Sequence, residues 1–212
     1  MLLTSAYCPP ISWFALAARD FTLSHDRVIP SEVVIEAAEN YRKQSYRTRC
    51  RIAAAGGVET LSVPIVHDAP KMPILSVRID YSTPWLVRTE RAIDSAYRTS
   101  AWFDYYRDSL YNIMESGEES LFAYNLSLIR YFLEKTGIAC NISLTDTFSK
   151  DAEDDFRYAI DPKKPDTVLK DMGMEKPYFQ VFSCKYGFKG NLSIMDLLFN
   201  EGPDSLSWLK KP

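Results

Sequence analysis

Apolar residues recur with helical spacing through the middle of the chain. The pattern predicts three helices, over residues 85–98, 102–114 and 121–133, and the last of these ends before Gly137. An earlier helix is expected to open at Pro10 or Ile11, because proline is tolerated at the first position of a helix. Its apolar face holds Ile11, Phe14 and Ala18.

Short apolar runs around these helices predict strands. They lie at residues 2–7, 33–35 and 140–144, with a further candidate at 75–79 and a strand or turn at 178–182. Gly56-Gly57 predicts a hairpin between 47–54 and 60–66. We therefore expect a mixed α/β fold in which residues 1–212 form one domain. A small twisted sheet from the N-terminal half would pack against helices of the middle and C-terminal parts.

The run 191–203 predicts a short helix with an unusual polar face. Ser193 is a good N-cap, and Gly202-Pro203 stops the helix, which is expected to return to the sheet. Asp196 and Asn200 are four residues apart and share a face, with Glu201 beside them. These groups are candidates for chemistry, and capping plus solvation is the alternative.

The segment 41–51 is strongly basic in an acidic chain. If residues 47–52 form a strand, Arg47, Arg49 and Arg51 share one face. Guanidinium groups bind phosphates and carboxylates with two hydrogen bonds, so this face predicts an anion cradle that Lys43 and Ser45 complete. The alternative is a solvated strand face that pairs with local acids.

Other polar residues stand near predicted junctions. Tyr7 and Cys8 precede the first helix, where Cys8 is either a nucleophile or, as we favour, a packed thiol. Asp80 precedes a predicted helix and is either structural or a supporting acid. The polar stretch 145–166 is long enough for a lid or binding loop, in which Arg157 and Lys163 either close over an anion or remain solvated.

The composition excludes several classes of function. A net charge of -3 argues against a general nucleic-acid role. The four cysteines form no CxxC pair, and the two histidines, His25 and His67, argue against a metal centre or a Ser-His-Asp triad. The sequence contains no glycine-rich phosphate loop or dinucleotide fingerprint, and it leaves the cofactor unknown. Without a basic leader or a membrane-length apolar run, a soluble cytoplasmic protein is expected.

Together these stretches resemble the WbqC-like protein family of bacteria over essentially the whole chain. The resemblance is carried, in the family's order, by Tyr7 with Pro9-Pro10-Ile11, Tyr41, Lys43-Gln44-Ser45-Tyr46-Arg47, Arg49, Ile79-Asp80-Tyr81-Ser82, Trp85, Ile93, Ser95-Ala96-Tyr97, Phe103, Tyr105-Tyr106, Arg157, Pro162-Lys163, Tyr178, Gln180-Val181-Phe182, Gly187-Phe188 and the run 191–203. It implies a role in O-antigen or other surface-polysaccharide synthesis. The family's activity is poorly defined, and acyl or aminoacyl transfer to a nucleotide-activated sugar is inferred from that context. The chain has Thr89 and Tyr186 where relatives carry His, so it lacks any base that those histidines supply.

Our preferred hypothesis is a transferase that acts on an anionic nucleotide-sugar. Asp196 or Glu201 would be the general base. The remaining candidates would bind or orient the substrate, and they are Tyr7, Lys43, Ser45, Arg47, Arg49, Asp80, Trp85, Tyr97, Arg157, Lys163, Asn191, Ser193 and Asn200. The rival is a non-catalytic binding or scaffold protein of the assembly machinery, and the third option is a polar network that only supports the fold. The sequence does not identify the substrate, the transferred group or the oligomeric state.

Overall fold

The mixed α/β fold is confirmed by a computed structural model, which describes residues 1–24, 27–66 and 71–210. Its helices are α1 (Ile11–Arg19), α2 (Trp85–Tyr97), α3 (Phe103–Met114), α4 (Leu121–Lys135), α5 (Val168–Asp171), α6 (Ser183–Tyr186), α7 (Ile194–Glu201) and α8 (Ser205–Leu209). Its strands are β1 (Leu2–Thr4), β2 (Thr22–Ser24), β3 (Arg27–Ile29), β4 (Ser31–Glu36), β5 (Arg49–Ala54), β6 (Gly57–Ser62) and β7 (Cys140–Leu144).

A three-stranded parallel sheet in the order β1-β4-β7 forms the centre of the fold. Val33 lies opposite Ile142, and Val33 and Ile35, which share one face of β4, are both buried, whereas Glu32 on the other face is exposed. Helix α1 packs on β4 and is buried along almost its whole length. The third strand, β7, is the strand predicted at 140–144, and it adds a strand from the second half of the chain to the two from the N-terminal half.

The β5–β6 hairpin is antiparallel, and helices α2 and α7 both contact β5. The chain reverses where Ala54 faces Gly57, whose φ of 112° lies in the region that favours glycine. Strand β5 begins at Arg49, two residues later than predicted, because residues 46–48 form a turn. This late start decides which arginines share a face.

Helix α7 is tied to the start of α1 and to β5. Ser193 caps it by accepting a hydrogen bond from the Met195 amide, and its own hydroxyl donates to the Cys8 carbonyl. The Ser193 amide donates to the carbonyl of Arg51. The predicted helix is therefore confirmed, but it packs on the β5–β6 hairpin rather than on the three-stranded sheet.

Several local expectations need correction. Residues 75–79 do not form a strand: a 3₁₀ turn covers Ile74–Ser76, and single bridges follow it. The hairpin of β2 and β3 was not predicted, because its residues are exposed and carry no core pattern. The polar stretch 145–166 contains no helix or strand, and residues 178–182 form no strand either.

Candidate functional site

A cavity of about 540 Å³ opens between α7, the start of α1 and the segment that precedes α7. Three aromatic side chains dominate its wall. The Tyr178 ring meets Phe188 edge-to-face at 5.1 Å and Trp208 at 5.8 Å between centroids. Arg51 and Asn191 supply polar groups. We call this space the aromatic cavity.

A smaller hollow of about 170 Å³ adjoins the aromatic cavity, since Arg51 lines both. Its other cations are Arg49 and Lys163, and Gln44 and Thr60 add uncharged polar groups. Among the described residues, none of the three cations has an acidic partner within ion-pair distance. We call this space the basic hollow, and an anion is the ligand that such a charge set favours.

Strand geometry explains how two of these arginines come together. Arg49 and Arg51 alternate with Cys50 and Ile52, which are fully buried on the opposite face of β5. The Nη2 of Arg51 donates to the Asn191 carbonyl at 3.3 Å, while its Nε is buried without a hydrogen-bond partner. Arg51 as a whole is partly exposed and lines both spaces, so its charge is accessible to a ligand there.

Arg47 does not join this face, and the expectation that it does is wrong. It precedes β5, is 3% exposed and forms a two-point ion pair with Glu39, which is 5% exposed. Its carbonyl accepts a hydrogen bond from Nδ2 of Asn125 on α4. Arg47 therefore neutralises a buried acid and is not available to an external anion.

Arg157 is likewise committed inside the protein. Its guanidinium donates to Glu36 at 2.7 Å and to Asp155 at 2.6 Å, and a further bond reaches the Ser149 carbonyl. Arg157 holds the pKa of Asp155 below its ordinary value by hydrogen bonding. These contacts fasten the stretch 145–166 to the end of β4, so Arg157 does not close over an anion in this structure.

Asp196 is fully buried in α7, and its hydrogen-bond donors among the described residues are all neutral side chains. Tyr97 donates to one oxygen at 2.9 Å, and Tyr178 and Gln180 donate to the other, Gln180 at 2.7 Å. Burial raises the pKa of Asp196 to about 6, although the three donors oppose that rise. Burial also raises the pKa of both tyrosines, and the neighbouring carboxylate adds to the effect. Because Tyr178 also lines the aromatic cavity, Asp196 lies one side chain behind the wall.

Three other polar residues of the run 191–203 form hydrogen bonds in or behind this wall. Glu201 is half-buried and accepts hydrogen bonds from the Phe179 amide and from Nε1 of Trp208, both at 3.2 Å. The Asn200 amide donates to the carbonyl of Asp196 at 2.7 Å. Asn191 accepts from the Ser12 amide. The run 191–203 therefore builds one side of the aromatic cavity.

The other predicted site residues line neither space. Tyr7 is buried and stacked on Tyr124, and Trp85 is buried at the start of α2. Ser45 donates to the Arg42 carbonyl, and Asp80 accepts from the Ser82 amide. Lys43 is exposed.

Cys8 and the two positions where relatives carry His also lie outside the two spaces. Cys8 is buried, which raises the pKa of its thiol and agrees with a packed thiol rather than a nucleophile. Thr89 is buried in α2, and the Tyr186 hydroxyl donates to the Ala55 carbonyl. The two histidines of the chain, His25 and His67, lie outside the described residues.

Sequence reasoning missed most of the aromatic wall. Tyr178, Phe188 and Trp208 were not selected as site residues, because irregular segments and a five-residue helix carry them and no periodicity marks them. Arg51 does belong to the strand face that the sequence predicts as an anion cradle, because it alternates with Arg49. In the described ranges, no group of acids, cysteines and histidines could hold a metal ion. Within the same ranges, no helix has the length and apolar character to cross a membrane.

Comparison with known proteins identifies a family. The sequence model described as the WbqC-like protein family matches residues 5–170, which is well over half of the chain. The matched stretch includes β5 and the basic hollow but ends before most of the aromatic wall and before α7. Neither the curated proteins nor the solved structures gave a match.

Proposed function

The chain belongs to the WbqC-like protein family, and we propose that it is a transferase of bacterial surface-polysaccharide biosynthesis that modifies a nucleotide-activated sugar. Acyl and aminoacyl transfer are the candidate reactions. The observation that carries the proposal is the basic hollow, whose three cations Arg49, Arg51 and Lys163 have no acidic partner among the described residues. A diphosphate would neutralise them through two-point hydrogen bonds.

The proton-accepting group in this proposal is Asp196. A carboxyl group with a pKa of about 6 is a better base at neutral pH than a solvated one, because the ideal catalytic pKa lies near the working pH. Tyr178 stands between Asp196 and the aromatic cavity. As Tyr178 accepts a proton from the sugar amine or hydroxyl, it passes its own proton to Asp196. Glu201 then acts as a positioning residue, because it holds Trp208 and the backbone at Phe179.

A non-catalytic binding or scaffold role is the second candidate, and one observation favours it. Asp196 has no exposed surface, and three donors already occupy its two oxygens. A carboxylate that is fully satisfied inside the protein can serve the fold alone. In that case the two spaces would still recognise an anionic ligand.

Ligand binding tests the shared part of both candidates. We expect UDP-, dTDP- or GDP-sugars to raise the melting temperature, because a ligand at 100 times its dissociation constant adds about 2.7 kcal/mol of stability. If none of these sugar nucleotides shifts the melting temperature, both candidates fail.

Turnover separates an enzyme from a binder. With an acyl or aminoacyl donor present, mass spectrometry should detect a modified sugar nucleotide, and Asp196→Asn should lower kcat by about 100-fold or more. The matched control is Asp108→Asn, since the Asp108 side chain is 84% exposed on α3. Retained ligand binding with equal turnover in Asp196→Asn would remove Asp196 from the mechanism. Binding without any turnover would favour the scaffold role.

A further inference from the structure

The aromatic cavity and the basic hollow differ in charge, and we infer that they bind the two halves of one ligand. The hollow takes phosphate, and the cavity takes an uncharged polar ring with an apolar face, such as a sugar or a nucleobase. This inference rests on the proposed function, because it assigns parts of that function's substrate to the two spaces.

The charges of the aromatic cavity are already balanced. Its wall carries two acids, Asp166 and Glu175, and two cations, Lys176 and the Arg51 that it shares with the basic hollow, so it has no excess of either charge. Asp166 accepts hydrogen bonds from the Ser12 hydroxyl, the Asn191 side chain and the Val168 amide, so its oxygens are occupied. A charged ring substituent would lose its hydration without gaining a counter-ion here.

The wall of the cavity suits a ring. Tyr178, Phe188 and Trp208 offer aromatic surface, and Leu197 and Ile11 extend it. Lys176 already places its ammonium 4.5 Å from the centroid of the Trp208 ring and donates to the Ser207 carbonyl. The volume of about 540 Å³ falls in the range of small-molecule sites, which are mostly apolar with a few polar groups that fix orientation.

The basic hollow has the opposite character. It is less than a third as large, and three cations line it with no acid among its lining residues. Arg51 is partly exposed where the two spaces meet, and no acid among the described residues forms an ion pair with it. The phosphate nearest the ring would therefore bind Arg51, and the next phosphate would lie toward Arg49 and Lys163.

Calorimetry with fragments of the ligand tests this division. The probes are pyrophosphate, uridine monophosphate, glucose 1-phosphate and UDP-glucose. We expect Arg49→Ala to weaken the two diphosphate probes, pyrophosphate and UDP-glucose, by about tenfold, and Phe188→Ala to weaken only the three ring-bearing probes by about tenfold. Trp208→Leu is a second variant for the ring and should agree with Phe188→Ala. The controls are Arg130→Ala and Tyr105→Ala, since both residues are exposed and line neither space.

Uridine monophosphate and glucose 1-phosphate show whether the cavity selects a nucleobase or a sugar. The probe with the preferred ring binds more tightly to the native protein and loses more affinity in Phe188→Ala. Equal loss of pyrophosphate and UDP-glucose in Phe188→Ala, or unchanged phosphate binding in Arg49→Ala, would overturn the division. Turnover of a sugar nucleotide together with either result would leave the proposed function intact. The expected division without turnover would sustain this inference and count against the enzyme. Failure of every ring-bearing probe to bind the native protein would overturn this inference, and the proposed function would fail as well only if dTDP- and GDP-sugars also left the melting temperature unchanged.

Discussion

Arg47 and Arg49 stand two residues apart on one basic segment, yet the fold uses them in opposite ways. Arg47 is almost wholly buried and paired with Glu39. Arg49 is partly exposed beside Arg51 and has no acid partner among the described residues. Position relative to the start of β5 causes the difference, because only residues inside the strand follow its alternation. On this segment, the arginine that is matched inside the chain supports the fold, and the unmatched one lines the basic hollow.

The carboxylates divide in the same way. Glu36 is fully buried and meets Arg157 at 2.7 Å, whereas Asp196 is equally buried and meets only neutral donors. An acid without a cation keeps a raised pKa, and that property is of use in proton transfer. The candidate chemistry therefore lies at the charged groups that have no partner of opposite charge, and variants of the paired and unpaired groups should behave differently.

Breaking the matched pair should have the largest effect. Arg47→Met leaves the carboxylate of Glu39 buried without a partner, and loss of one member of such a pair costs about 3–5 kcal/mol. Urea unfolding measures the change. The double variant Arg47→Met, Glu39→Leu should recover much of the loss, because it removes the unpaired charge as well. A loss below about 1 kcal/mol in the single variant would show that the pair is not as buried as described.

The unmatched acid should give a pH effect of opposite sign to a paired one. The pKa of Asp196 in the folded protein is raised to about 6, so the folded state holds a proton that the unfolded state releases at lower pH. Unfolding free energy should therefore fall by about 3 kcal/mol in total as pH rises from well below 4 to well above 6, with about two thirds of the fall between pH 4 and 6, and Asp196→Asn should remove it.

The matched control for that pH effect is Asp155→Asn, since Arg157 lowers the pKa of Asp155. Its contribution to stability is present above the unfolded pKa and is lost as pH falls, so this variant should be destabilised at neutral pH. Equal pH profiles for native protein and Asp196→Asn between pH 4 and 6 would contradict the raised pKa.

Local patterns in the sequence were enough to predict two elements that carry the site, α7 and β5. The N-cap Ser193, the stop at Gly202 and the alternation of Arg49 with buried Cys50 all depend on neighbours in the chain. The strand predicted at 75–79 failed although its apolar residues alternate, because only single bridges form there and Leu75 is 55% exposed.

Hydrogen-bond and ion-pair partners that lie far apart in the chain could not be predicted from the sequence. The burial of Asp196 depends on Tyr97 and Tyr178, which reach it from α2 and from an irregular segment. Arg157 meets Glu36 across 121 positions of sequence, and nothing local distinguishes it from a solvated arginine. The family match also ends at residue 170, so it does not extend to most of the aromatic wall.

The smallest effect should come from the unmatched arginine. Arg49→Gln removes a cation that repels Arg51 and Lys163 and has no acid to lose, so unfolding free energy should change by less than about 0.5 kcal/mol, with a slight gain at low salt. Added salt should reduce that gain, because it screens the repulsion between the cations. Urea unfolding at two salt concentrations measures both the change in unfolding free energy and its dependence on salt, with Arg47→Gln as the comparison. A loss above about 1 kcal/mol in Arg49→Gln would mean that Arg49, like Arg47, serves the fold, and the distinction between matched and unmatched charge on this segment would fail.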